Sequence, residues 1–181
     1  MTITSLLEAA GDPEYDALRP YIQQIASLPV KERDAAEPEI IEAAMNDPQY
    51  REIPADELRA ALERWMSLYT QEHTEKLIPQ QLPQTLAGWD VGRAARLARI
   101  GYLVGMINLE EYLNISSHAL TATRERCQNW RDHVDQFLLG RAKWQEVLGE
   151  DTLDHRDAMW VRLKHPDSVW AKYPLHGNYD A

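Results

Sequence analysis

Two stretches of the sequence have the periodicity of amphipathic helices, and each carries charge within its apolar face. On a helical wheel of residues 89–107, Asp90 and Arg93 lie on the same side as the apolar residues Trp89, Leu97, Ile100, Gly101 and Val104. In residues 130–148, Arg141 lies at the centre of a stripe formed by Trp130, Val134, Phe137, Trp144 and Leu148. Because an isolated buried charge is strongly unfavourable, the two helices are expected to pack together and to pair these charges.

The signs of the three charges predict one ion cluster across this helix interface. Asp90 is expected to accept hydrogen bonds from Arg93, three residues further along its own helix, and from Arg141 of the partner helix. The interpretation we favour is a structural cluster. One carboxylate facing two guanidinium groups leaves a surplus positive charge, so the alternative is a small-anion site or an enzyme site built on the same three residues.

Helix signals dominate the rest of the sequence, and strand signals are nearly absent. Asp12 and Asp47, each followed by Pro, suit helix starts, and Asn108 with Glu111 has the spacing of a capping box. We therefore predict an all-α fold of six to eight helices, as a single compact multi-helix domain with a central buried helix. The C-terminal tail, residues 165–181, is expected to be irregular and to pack back onto the bundle through its aromatic residues.

Small residues recur every three or four positions along one edge of the predicted central helix. They permit the close approach of a neighbouring helix, and they are Ala94, Ala98, Gly101 and Gly105. Since glycine lowers helix propensity by roughly 1 kcal/mol, a packing reason for its presence is favoured. The helix at residues 89–107 is therefore predicted to be the hub of the fold.

Charge is distributed unevenly along the chain. Residues 1–75 contain 16 acidic and 6 basic residues, whereas the remainder contains 13 of each. A proline-containing loop at residues 77–86 marks the predicted boundary between an acidic helical N-terminal part, residues 1–76, and a helical core and tail, residues 77–181, packed as one domain. An acidic surface disfavours nucleic acid and anionic lipid and favours a basic protein partner. The acidic residues predicted to bind that partner are Glu32, Glu37, Glu39, Glu42, Asp56, Glu57 and Glu63.

The sequence contains no recognisable catalytic or metal-binding pattern. Its six histidines are scattered without metal-ligand spacing, and no glycine-rich phosphate loop follows a strand. The single cysteine, Cys127, is interpreted as a small buried residue. No catalytic residue, metal or cofactor is therefore predicted. The absence of a long apolar run and of a secretion signal predicts no membrane span and a cytoplasmic location.

Three strings in the second half of the sequence resemble a bacterial family known only as domain of unknown function 1266. They read WDVGR at 89–93, LARIGY at 97–102 followed by Gly105, and Trp130 followed by FLLGR at 137–141 and Trp144. The resemblance extends from about Leu58 to Trp170 and leaves the first 50 residues outside it. It implies a mostly helical bacterial domain, and it brings no activity, cofactor or catalytic residue with it.

A small acidic chain without catalytic motifs is typical of proteins that act by binding another protein. The function we favour from the sequence is a non-enzymatic cytoplasmic protein, most concretely an immunity or antitoxin-type protein whose acidic half covers a basic toxin. The alternative is a small-anion-binding protein or an enzyme that uses Asp90, Arg93 and Arg141. Nothing in the sequence indicates the oligomeric state.

Overall fold

A computed structural model describes residues 7, 10–71, 74, 78–146 and 148–177. Within these residues the chain forms seven helices of 15 to 18 residues and no strand, which confirms the all-α prediction. The helices are α1 (Pro13–Ser27), α2 (Val30–Met45), α3 (Ala55–Thr70), α4 (Ala87–Leu103), α5 (Leu109–Arg126), α6 (Trp130–Gln145) and α7 (Glu150–Lys164), followed by the short α8 (Val169–Lys172). The predicted boundary between residues 76 and 77 lies outside the described residues.

The predicted helix starts are confirmed by their capping hydrogen bonds. The Asp12 side chain accepts a hydrogen bond from the Tyr15 N–H, at 3.0 Å, at the start of α1. The Asn108 side chain accepts from the Glu111 N–H while the Glu111 carboxylate accepts from the Asn108 N–H, so that a complete capping box opens α5. Asp47 caps only a single 3-10 turn, Pro48–Tyr50. These ends were predictable because the interactions that form them are local in sequence.

The largest hydrophobic cluster is built from α1, α2 and α3 together with α6. It contains six buried residues of α3 that recur at helical spacing, namely Leu58, Ala61, Leu62, Trp65, Leu68 and Tyr69. Leu139 and Ala142 of α6 belong to the same cluster, as does Leu148 just beyond that helix. Lys143 of α6 forms ion pairs with Asp12 and with Glu14 at the start of α1. The N-terminal helices and the sixth helix therefore share one core.

A buried arginine ties the ends of two of these helices together. Arg33, in the first turn of α2, is only 4 % exposed. Its guanidinium group donates to the carbonyl oxygens of Ala26 and Leu28 at the end of α1, and to that of Tyr69 at the end of α3. Because the C-terminal ends of helices carry partial negative charge and unpaired carbonyl groups, this position suits a cation.

Helix α4 packs between α5 and α6, as predicted, but it buries a different face from the one that the sequence suggested. The buried face contains Trp89, Val91, Ala94 and Ala98. Ala94 packs with Ala119 and Ala122 of α5, so the predicted role of the small residues is confirmed for this part of the helix. The expected burial of Leu97, Ile100 and Val104 is wrong, because all three side chains are exposed.

Helix α6, rather than α4, is the most completely buried helix among those described. Nine of the ten residues from 133 to 142 are buried, because α4 covers one side of α6, the cluster of α1 to α3 a second side, and α7 a third. Its last turn is an exception, since Trp144 is exposed rather than part of the buried stripe. Helix α4 still forms the two most extensive helix–helix contacts among the described residues, with α5 and with α6. Its predicted central position is therefore confirmed, whereas its predicted burial is not.

The tail folds back onto the bundle, as predicted. The Trp170 ring stacks on Trp130 with ring centroids 5.3 Å apart, and the Trp130 indole N–H donates to the Tyr173 carbonyl oxygen at 2.7 Å. Leu175 is buried, and Arg124 of α5 donates to its carbonyl oxygen. None of the helices in the described part of the chain combines the length and the apolar character that a membrane span requires.

Candidate functional site

The contact between α4 and α6 depends on glycine at three positions. A Cβ atom added at Gly140 of α6 would lie 2.5 Å from the Cβ atom of Trp89, and one added at Gly88 of α4 would lie 2.7 Å from the Cβ atom of Gln136. One added at Gly92 would meet the ring of Phe137 at 2.8 Å. The absence of these side chains lets the two backbones approach closely, and it places the Trp89 ring against Phe137 with centroids 5.0 Å apart.

The structure does not form the predicted ion cluster as one unit. Asp90 pairs with Arg93 at 3.8 Å and also accepts a hydrogen bond from the Gly11 N–H at 3.3 Å. Arg141 instead pairs with Asp151, near the start of α7. The predicted pairing of Asp90 with Arg141 is therefore wrong, because a carboxylate from a helix further along the chain lies closer to this arginine. A helical wheel could not have identified Asp151, since that pairing depends on how α7 returns onto α6.

The two arginines nevertheless meet at one aromatic ring. The guanidinium carbon of Arg93 lies 5.4 Å from the centroid of Trp89, and that of Arg141 lies 5.7 Å from it. Arg93 also lies 5.7 Å from the Trp144 ring. Cation–π contacts of this kind stabilise a positive charge without a carboxylate. The Arg141 Nε atom is buried and has no hydrogen-bond partner among the described residues.

Replacing Asp90 is therefore expected to have a small effect. Burial raises the pKa of the Asp90 carboxyl group, and the Gly11 N–H and Arg93 oppose this only in part. A carboxyl group whose pKa is higher in the folded chain than in the unfolded chain stabilises the fold at low pH. The protein loses this stabilisation as the pH rises from the unfolded-state pKa through the folded-state pKa. Asp90→Asn removes that cost and keeps an acceptor for Gly11, so we expect the free energy of unfolding to change by less than about 1 kcal/mol.

Urea titration of this variant beside Asp151→Asn checks the expectation. Asp151 is half exposed, and its replacement should also have a small effect because the amide oxygen of Asn still accepts from Arg141 and the site is open to water. A loss of about 3 kcal/mol or more for Asp90→Asn would restore the buried cluster that the sequence suggested.

The acidic residues predicted to bind a partner lie on α2 and α3, which pack against each other. Six of the seven are exposed and Glu37 is half-buried; the exposed ones are Glu32, Glu39, Glu42, Asp56, Glu57 and Glu63. Over the described residues, none of the seven forms an ion pair. We call this set the acidic face.

The pKa of Glu37 shows that its carboxyl group is affected by burial and by neighbouring carboxylates. Burial raises the pKa of its carboxyl group, and the negative charges of Asp34 on its own helix and of Glu63 on α3 raise it further. A raised pKa means that the ionised form is disfavoured where it stands. A cation supplied from outside would relieve that repulsion.

Cys127 and His133 lie close together in the interior, a contact that was not predicted from the sequence. The Cys127 Sγ and His133 Nδ1 atoms are 3.9 Å apart, and both residues are buried. Burial raises the pKa of Cys127 to about 12 and lowers the pKa of His133 to about 4. Both groups are therefore neutral at pH 7. A nucleophilic cysteine needs the thiolate form, so this pair lacks the electrostatics of a catalytic dyad.

A polar cleft of about 570 Å³ lies between the loop at residues 78–84 and the N-terminal end of α6. The Arg131 guanidinium donates twice to the Asp135 carboxylate and lies 4.1 Å from the centroid of the Trp160 ring. Sequence reasoning missed this cleft, although its glutamines are visible in the loop. The carboxylate of Asp132, which also lines the cleft, accepts hydrogen bonds from the Gln128 N–H and from the Gln136 side chain. Within the described residues, no group of three His, Cys, Asp or Glu side chains could hold a metal ion.

Comparison with known proteins yields one family match. The model of a family described as "Protein of unknown function (DUF1266)" matches residues 1–175. This match supports the resemblance seen in the sequence, and it corrects the extent, because the first 50 residues are included. No curated protein and no solved structure matches the chain.

Proposed function

The chain belongs to the DUF1266 family of proteins of unknown function, and from that premise we propose that it acts by binding a basic protein through its acidic face. The observation that supports the proposal is that seven carboxylates lie on α2 and α3 and that none of them forms an ion pair with a described residue. Uncompensated charge of one sign steers a partner of opposite sign toward the surface that carries it.

The position of Glu37 adds an energetic reason to this proposal. Burial raises the pKa of its carboxyl group, and the negative charges of Asp34 and Glu63 raise it further. A lysine or arginine of the partner placed among these three carboxylates would favour their ionised forms and would form charge-assisted hydrogen bonds. The free protein retains this repulsion, and the complex would not.

An immunity or antitoxin-type protein of a bacterial cytoplasm is the concrete form of the proposal. Such a protein works by covering a basic toxin, and it needs no reaction chemistry of its own. The chain has a net charge of -10. The neutral Cys127 and His133 are consistent with binding rather than catalysis.

Reversing charge on α2 tests the proposal. The triple variant Glu37→Lys, Glu39→Lys and Glu42→Lys is expected to slow association by about tenfold at low salt and to flatten the salt dependence of the rate. The partner is recovered from the native host with the unmodified chain as bait, and its association is then followed by stopped-flow fluorescence. Circular dichroism checks that the variant remains folded.

A second triple variant separates the acidic face from overall charge. Glu110, Glu150 and Asp154 are exposed on α5 and α7, and changing them to Lys alters the net charge by the same amount. We expect this control to retain most of the association rate. Equal slowing by both triple variants, or a rate that depends on neither salt nor charge reversal, would remove the acidic face from the mechanism.

A further inference from the structure

The second half of α4 extends past the helix that covers its first half. Gly88 lies against His133 and Gln136 of α6, Gly92 against Phe137, and Arg93 over Trp144 in the last turn of α6. These contacts fall on the first half of α4, from Gly88 to Arg93. Helix α6 ends at Gln145, and Glu146 takes a left-handed conformation with φ 56° that ends the helix. Helix α4 continues for ten residues beyond Arg93, to Leu103, which is about 15 Å.

The uncovered part of α4 and the turn that follows it are apolar and exposed. The side chains are 43 to 81 % exposed, and they are Leu97, Ile100, Leu103, Val104 and Met106. We call this set the overhang face. Its first four residues recur at helical spacing on the side of α4 that continues from Trp89 and Arg93. An apolar patch of this kind on a protein surface marks an interaction site.

The overhang face is held in a defined geometry. The Met106 N–H donates to the Gly101 carbonyl oxygen at 2.8 Å, and Gly105 has φ +74°, so the end of α4 is closed by a regular turn. The rings of Tyr102 and Tyr112 stack with centroids 5.3 Å apart and join α4 to α5. A partner would therefore meet a preformed surface and would not have to order it.

Charge along one edge of this face identifies the kind of partner. Arg96 and Arg99 are exposed on that edge, and neither forms an ion pair with a described residue. A symmetric pair of antiparallel α4 helices would bring the arginine edge of one copy against the same edge of the other, which disfavours a second copy of this chain. An extended anionic membrane would also face the rest of a chain whose net charge is -10, whereas a single helix contacts only the edge that carries Arg96 and Arg99.

We propose that the overhang face binds an acidic amphipathic helix of a partner protein, which packs on the second half of α4, beyond the residues that contact α6. The apolar side of that helix packs on Ile100, Leu103 and Val104, and its Glu or Asp residues pair with Arg96 and Arg99. This is the helix-in-groove form of recognition. The overhang face is separate from the acidic face on α2 and α3, so either proposal can fail without the other.

Two labelled synthetic peptides test this inference on the full chain. Both are amphipathic sequences of about 18 residues with Leu at helical spacing, and they differ only in carrying Glu or Lys beside the apolar stripe. Fluorescence anisotropy is expected to show saturable binding of the Glu peptide with a Kd on the order of 10 μM, and binding of the Lys peptide at least about tenfold weaker.

Variants then assign the binding to the overhang face. Arg96→Glu with Arg99→Glu is expected to reverse the preference between the two peptides, whereas Ile100→Ser with Leu103→Ser should weaken both by about tenfold or more. Arg59→Glu, at an exposed arginine of α3, is the matched control and should change neither affinity. Circular dichroism confirms the fold of each variant.

Three outcomes would overturn the inference. The first is equal binding of the two peptides, or binding that the Ile100 and Leu103 variants leave unchanged. The second is concentration-dependent dimerisation in sedimentation velocity that the same variants abolish, which would make a second copy the occupant. The third is binding to anionic phosphatidylserine vesicles that depends on Ile100 and Leu103 while the Glu peptide does not bind.

Discussion

Arg33→Met is expected to destabilise the protein by about 3 to 5 kcal/mol, because it leaves buried carbonyl groups without a donor. The guanidinium group donates to Ala26, Leu28 and Tyr69, at the ends of two helices that start far apart in the sequence. Because methionine fills a similar volume, the loss in the free energy of unfolding reports on the missing hydrogen bonds and charge and not on a cavity. Urea titration followed by far-UV circular dichroism gives the free energy of unfolding.

Two companion variants make the measurement on Arg33 specific. Lys31→Met removes an exposed positive charge from the same turn of α2 and should change stability by less than about 0.5 kcal/mol. Arg33→Lys keeps the charge but loses the forked geometry, so an intermediate loss is expected. A loss below about 1 kcal/mol for Arg33→Met would mean that water satisfies these carbonyl groups instead.

Gly140→Ala is expected to cost about 2 to 3 kcal/mol although alanine is the better helix former. The new methyl group would lie 2.5 Å from the Cβ atom of Trp89, which is fixed to the α4 backbone and cannot rotate away. The two helices would have to separate. That separation would disturb the contact of Trp89 with Phe137 as well. Thermal unfolding should show the loss directly, and near-UV circular dichroism should report the changed setting of the tryptophan.

Gly101→Ala provides the matched comparison. Its added methyl group would lie 3.5 Å from the side chain of Ile107, which is ordinary van der Waals contact. Since glycine within a helix costs roughly 1 kcal/mol of propensity, this variant should be neutral or slightly stabilising. Equal losses at Gly140 and Gly101 would contradict the close approach of α4 and α6.

Features encoded within a few residues were predictable from the sequence. The Asp12 cap, the capping box of Asn108 and Glu111, and the buried face of α3 all follow from local spacing, and the structure confirms them. The contact of the Trp89 helix with the Trp130 helix was also predicted correctly. The charges within the two apolar faces suggested this contact, although Asp90 and Arg141 do not pair in the structure.

Features that depend on where a distant element ends were not predictable. The wheel of residues 89–107 correctly places Leu97, Ile100 and Val104 on one side of the helix. It does not indicate that α6 leaves these three side chains uncovered. The partner of Arg141 comes from α7, and the acceptors of Arg33 are backbone carbonyl groups, which no side-chain pattern marks. The sequence also shows Glu37 as one acid among many, whereas its raised pKa depends first on its burial in the folded chain and then on the charges of Asp34 and of Glu63 on α3.

The core shared by α1, α2, α3 and α6 has a consequence for the order in which this chain can fold as it is synthesised. Leu139 and Ala142 complete a cluster whose other members lie mostly within the first 86 residues, and Lys143 closes onto Asp12 across 131 positions. The first three helices therefore leave the ribosome before the helix that covers them exists. Leu139 and Ala142 can add to the burial of this cluster only after α6 has been made, so we expect contacts of long sequence separation to slow folding. Until then, the nascent chain exposes an apolar surface that the finished protein hides, and during that interval it is most open to chaperones and proteases.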